Sequence, residues 1–150
     1  MLSHQLIHAI EGHCDQITSR VLAEMPQDPE VSHLRQLPES ELREWGCTIL
    51  KNLGAWIVSR RDPALARRYE LLGRVRFEES IPLHEVVRGL HVLKDRTIDY
   101  VRENGFPQTA AEVYAEEELE YLVTRFFDRL VYYFVRGYEK ALRSATRLAA

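Results

Sequence analysis

At 150 residues with 7 glycines and 6 prolines, the chain has the length of one domain and an ordinary globular composition, which excludes a disordered or low-complexity segment as its main content. Its 20 basic and 23 acidic side chains are interspersed and sum to a formal net charge of −3, so no basic face is available to neutralise a run of phosphates, and nucleic acid is not an expected partner. The only cysteines, Cys14 and Cys47, lie on helical patterns outside any C-x-x-C pair and read as two buried thiols, which fits a reducing cytoplasm.

The first element repeats apolar residues at Leu2, Leu6, Ile10, Cys14, Ile17 and Val21, spacings of three and four that line one side of a single helix ended by Pro26. Its start has no basic n-region followed by an apolar core, so it is not a signal peptide. Residues 27–38 make an irregular connection, with a turn expected around residues 31–35. A second helix is expected over residues 39–59, with Leu42, Trp45, Ile49, Leu53, Trp56 and Ile57 inward and Glu39 and Glu41 at its positive end. Asp62-Pro63 then starts a third, Asp capping free N–H groups and Pro having no N–H to lose. Its inward set is Leu65, Tyr69, Leu72 and Arg76 or Phe77, and it breaks at Ser80-Ile81-Pro82.

From Pro82 a fourth helix carries Leu83, Val86, Val87, Leu90, Leu93, Thr97 and Val101 inward, and Gly105 stands where a left-handed cap is expected. Thr109 and Glu112 form a T-x-x-E capping box that opens a fifth and last helix, with no break after it. The run Leu130-Val131-Tyr132-Tyr133-Phe134-Val135 has strand-like composition, but Leu119, Leu122, Phe126, Leu130, Tyr133 and Gly137 keep helical spacing through it. It is also the longest apolar run, far short of the roughly 20 residues of a membrane span. The expectation is an all-α, bundle-like single domain over residues 1–150 with five main helices, without a membrane span and located in the cytoplasm.

That last helix carries a second apolar stripe, Val123, Phe127, Val131, Phe134, Tyr138, Leu142 and Ala145, beside the first. The combined arc is about twice what one core requires. Only a strip with Arg125, Asp128, Arg129, Arg136, Glu139 and Arg143 looks fully solvated. Phe127, Val131, Phe134, Tyr138 and Leu142 are therefore expected at a homodimer interface; the alternative is a central helix surrounded within one subunit. Past Tyr138 the thinner pattern of Ala141, Leu142, Ala145, Leu148 and Ala149 looks like an exit helix, so the chain is expected to be the amino-terminal part of a longer one.

Chemical sites are sparse. His4, His8 and His13 with Cys14 could offer metal ligands, but their spacing does not align them, and the polar edge of a helix accounts for them. His84 and His91 share one flank two turns apart, a spacing common without haem. Glu116, Glu117, Glu118 and Glu120 read as solvated surface, and Glu78, Glu79 and Glu85 lack the fixed geometry that acid–base work needs. No G-x-S-x-G, P-loop, G-x-G-x-x-G or H-E-x-x-H motif occurs, so neither catalysis nor a cofactor or metal is expected. A core pocket for a small molecule would involve Trp56, Tyr69, His91 or Tyr133.

Residues 74–93, RVRFEESIPLHEVVRGLHVL, join an arginine-bearing helix, an I-P-L break and an E-V-V-R helix. With the aromatic run ending in Arg136-Gly137-Tyr138-Glu139, the pattern resembles the N-terminal domain of RsbR-type stressosome co-antagonists of the RsbRD kind, also found ahead of bacterial sensor histidine kinases. The resemblance covers most of the chain. It implies a non-catalytic cytoplasmic input domain that dimerises and passes a signal through its C-terminal helix to a downstream module. It also implies a globin-related fold without haem. A haem- or metal-binding helical protein is the alternative, and a small enzyme a more distant one; a visible spectrum and metal analysis separate them.

Overall fold

The computed structural model describes residues 2–149, which form six α-helices and no strand: α1 (Leu2–Gly12), α2 (Cys14–Glu24), α3 (Glu39–Ser59), α4 (Pro63–Glu78), α5 (Leu83–Asn104) and α6 (Ala110–Ala149). The single first helix expected from periodicity is two. Gly12, a weak helix former, and His13, at φ −116° and ψ 25°, bend the chain between α1 and α2. Leu6, Ile10, Cys14, Ile17 and Val21 stay buried on both sides of the bend, so the apolar spacing concealed it. The side chain of Leu2 lies outside the described residues.

Three single 3-10 turns, Met25–Gln27, Pro29–Val31 and Leu34–Gln36, fill the irregular connection and bury Met25, Val31 and Leu34. They are clamped from α5 by Glu85, only 2% exposed, whose carboxylate accepts from the backbone N–H groups of His33 (2.7 Å) and Leu34 (3.2 Å) and meets His33 Nδ1 at 2.7 Å. A buried carboxylate is tolerated because several donors replace its water. Arg88, one turn on, adds an ion pair to Asp28 at 3.0 Å.

Helix α3 has the expected bounds and closes on Arg60, held in the left-handed region at φ 54°. Trp56 is buried and Trp45 half-buried. On α4, Leu65, Tyr69 and Arg76 are buried, whereas Leu72 and Phe77 are half-buried at its edge. Gly105 is not the left-handed cap expected: its φ is −99°, and a Cβ there would crowd Val101 O and the Glu116 carboxylate. The capping box of α6 forms in a shifted version, with Thr109 Oγ1 accepting from Glu112 N–H (3.2 Å) and the Glu112 carboxylate accepting from Gln108 N–H (2.6 Å).

One core unites these helices. Ile10, Ile17, Leu53, Val86, Leu90 and Val101 share one buried cluster with Leu119, Val123, Phe126, Phe127, Leu130 and Phe134 of α6, which packs against α1, α3, α4 and α5. Both apolar stripes of α6 are therefore covered within the subunit through most of their length. Past Tyr138 no residue of α6 is buried.

Candidate functional site

The region with the most specific construction is the seam between α4 and α6, the most extensive helix pair in the fold. The two helices run side by side and touch backbone to backbone. A Cβ on Gly137 would overlap the carbonyl of Glu70, and one on Gly73 would overlap the carbonyl of Phe134. Only hydrogen at these two positions permits the approach.

Polar contacts fix the seam along its length. Asp62, just before α4, accepts from Trp56 Nε1 (3.0 Å), Arg129 Nε (2.9 Å) and Tyr133 OH (2.6 Å). Partial burial pushes its carboxyl up, but the donors from Tyr133, Trp56 and Arg129 outweigh this and hold it below the ordinary value. Burial, reinforced by the hydrogen bond to Asp62, raises the Tyr133 hydroxyl to about 12. Arg60 and Arg129 both lie over the Trp56 ring, at 5.3 and 5.2 Å. Further along, Glu70 pairs with Arg136 and, at 3.4 Å, with Lys140. Tyr138 OH then donates to Ile81 O at 2.8 Å.

Asp62 thus corrects an expectation. It precedes a proline as a helix cap does, yet its side chain makes no capping bond and turns instead to α3 and α6. Three strong tertiary donors outcompete the local N–H groups. The supposedly solvated strip of α6 is correspondingly uneven: Arg125, Asp128, Glu139 and Arg143 are exposed, while Arg129 and Arg136 are drawn into these pairs.

Of the residues considered for a dimer interface, Phe127 and Phe134 lie in the subunit's own core, Val131 and Tyr138 are half-buried and Leu142 is exposed. Of those considered for a pocket, Trp56 and Tyr133 meet at Asp62. Tyr69 instead lines a groove between α3 and α4, and His91 is exposed on α5. The groove has a volume of about 310 Å³ and a mostly apolar lining that includes Trp45, Ile49, Tyr69, Leu72 and Val75. Burial raises the Tyr69 hydroxyl to about 12, and it accepts from Asn52 Nδ2 at 2.9 Å. At one end Arg76, 3% exposed, bridges Glu79 (2.9 Å) on its own helix and Glu41 (3.5 Å) on α3.

The histidines do not gather: His84 and His91 are exposed, and the one group of potential metal ligands among the described residues is Cys14, Asp15 and Cys47. The two cysteines are not the separate thiols expected. Their Cα atoms are 5.0 Å apart and their sulfurs are bonded, joining the start of α2 to the middle of α3. Helical periodicity places each cysteine on its own helix face but says nothing about how the faces meet.

This all-helical domain, lacking any recognisable catalytic motif and organised around its last helix, matches over residues 11–150 the family described as the RsbT co-antagonist protein rsbRD N-terminal domain. The chain belongs to that family, and so to the signal-transduction domains of stress response. No curated protein and no solved structure matches it. The segment that carried the resemblance has a structural role here: Ile81 is core and offers its carbonyl to Tyr138, while Glu85 and Arg88 hold the 3-10 turns. No helix among the described residues is long and apolar enough to cross a membrane.

Proposed function

We propose that the chain is the non-catalytic input domain of a longer cytoplasmic signalling protein, working as a homodimer and relaying a change of packing through α6 to a downstream output module. The observation that carries this reading is the fate of one face of α6. Leu130, Phe134 and Gly137 are buried on it, and the same face continues through Ala141, Ala145 and Leu148, where none of the described residues covers it fully; Leu148 is 90% exposed. Leu142, beside that face, is 48% exposed. An apolar line leaving a core on a continuous helix suits a parallel partner helix.

The α4–α6 seam supports the relay. A small apolar molecule in the α3–α4 groove would bear on Tyr69, Leu72 and Val75 of α4, and α4 is in backbone contact with α6. The family's name makes RsbT the natural candidate for the partner protein acting with such a domain. Light scattering tests the dimer. The expected mass is that of two chains, reduced to one in the double variant Leu142→Glu, Leu148→Glu with unchanged helicity; a single-chain mass for the wild type throughout the micromolar range overturns the reading.

A further inference from the structure

We propose that Cys14 and Cys47 are a reversible thiol–disulfide modification site, which in its closed form staples the α1–α2 arm to α3. This inference stands on its own observations and does not require the dimer or the relay. The two sulfurs belong to residues 33 apart in sequence whose Cα atoms lie within the spacing a disulfide requires. Gly46, next to Cys47, is what lets the helices approach, because a Cβ there would overlap the Thr18 side chain one turn after Cys14. The bond is not sealed in the core: Cys14 is 8% exposed, but Cys47 is half-exposed at the edge of the α2–α3 contact. A disulfide placed there can be reached by small thiols and disulfides, unlike one sealed in a core.

The neighbouring groups favour redox over metal chemistry. Two sulfurs and the Asp15 carboxylate make three ligands, one short of the closed four-ligand set of a structural zinc site, and no histidine joins them among the described residues. Asp15 Oδ1 lies 3.5 Å from Cys47 Sγ, placed to accept a hydrogen bond from the thiol when the pair is open. Its negative charge repels an anionic disulfide such as oxidised glutathione and so slows attack without preventing it.

Closure uses a small-molecule disulfide of the glutathione class as oxidant. The Cys47 thiolate, the more accessible of the two, attacks one sulfur of that disulfide and expels one thiolate, leaving a mixed disulfide on Cys47. The Cys14 thiolate then attacks Cys47 Sγ, forms the Cys14–Cys47 bond and expels the second thiolate. The protein loses two electrons and two protons, and the small disulfide becomes two thiols. A dithiol reverses the sequence.

The test is a titration of the purified, folded chain in mixtures of oxidised and reduced glutathione, scored by the gel shift of a polymer-tagged maleimide on free thiols. Both tags should be lost together as the oxidised form rises, on a monomeric species under denaturing, non-reducing conditions, and should return on adding dithiothreitol without denaturant. Cys14→Ser should accumulate a stable glutathione adduct on Cys47, and Asp15→Asn should close several-fold faster to the same end point. The proposal is overturned if both thiols stay taggable at the oxidising end, if the bond resists dithiothreitol in the folded protein, or if it forms only between chains.

Discussion

Replacing Gly137 by alanine adds one methyl group where α4 and α6 touch. In an isolated helix this change gains about 1 kcal/mol of intrinsic propensity. Here the new carbon overlaps the Cα, the carbonyl carbon and the carbonyl oxygen of Glu70. These are backbone atoms fixed by the hydrogen-bond ladder of α4, so no rotamer change relieves the overlap and the helices must separate. Overpacking of a tight core costs about 1–3 kcal/mol, and this site belongs at the upper end, because separation also loosens Arg136–Glu70 and Tyr138–Ile81. The propensity gain offsets part of that, leaving a net loss of about 2 kcal/mol. In a domain of this size that lowers Tm by roughly 4–8 °C. Differential scanning calorimetry reads it directly, with Gly12→Ala as the matched control, since a Cβ there meets nothing within 4 Å and Tm should hold or rise. A Gly137→Ala protein melting at or above the wild type would refute the close crossing.

Glu85→Ala should cost about 2–4 kcal/mol in urea denaturation, because the His33 and Leu34 N–H groups lose a buried charged acceptor, and hydrogen exchange should accelerate in residues 29–36. Cys47→Ser should remove about 3–4 kcal/mol relative to the oxidised wild type, the chain-entropy value for a cross-link spanning 33 residues, and should match the reduced wild type closely. Asp62 has a folded pKa below its ordinary 3.8, so it contributes stability that is present above that value and lost as pH falls through the folded pKa. Asp62→Asn should accordingly flatten this part of the acid limb of a stability–pH curve, and an unchanged limb would count against the Trp56–Arg129–Tyr133 cluster.

Periodicity and punctuation made the helices legible, since capping residues, prolines and three-to-four spacing are local properties of the chain. Helix α3 and the starts of α4 and α5 are placed where those signals put them. The errors have a common origin in tertiary competition. The α1–α2 bend preserves the buried face and so leaves no trace in the spacing. Asp62 has the sequence context of a cap and the tertiary context of a hub, and proximity to Arg129 and Tyr133 decides. Gly73 and Gly137 sit inside helices, where glycine is unfavourable; that cost was the available hint of a close helix crossing, and each lies on a face otherwise lined with core residues. Nothing in the sequence could pair Cys14 with Cys47, because pairing depends on how two helix faces are brought together.

The glycine crossing also bears on how such a domain could respond as a unit. Packed helix interfaces have low compressibility and shift between discrete arrangements rather than deforming continuously. At Gly73 and Gly137 there is no side chain between the backbones, so a movement of α4 is taken up by α6 or the contact is lost. The contacts of Asp62 with Arg129 and Tyr133 lie on one side of that point, the Glu70–Arg136 pair lies at it, and the Tyr138–Ile81 hydrogen bond lies on the other side, which favours a rigid-body response over a local one. In the proposed relay, a stimulus then needs differential contacts with α4 alone to alter the direction in which residues 139–149 leave the core, and the α3–α4 groove, with Tyr69, Leu72 and Val75 on its α4 wall, offers a surface for such contacts.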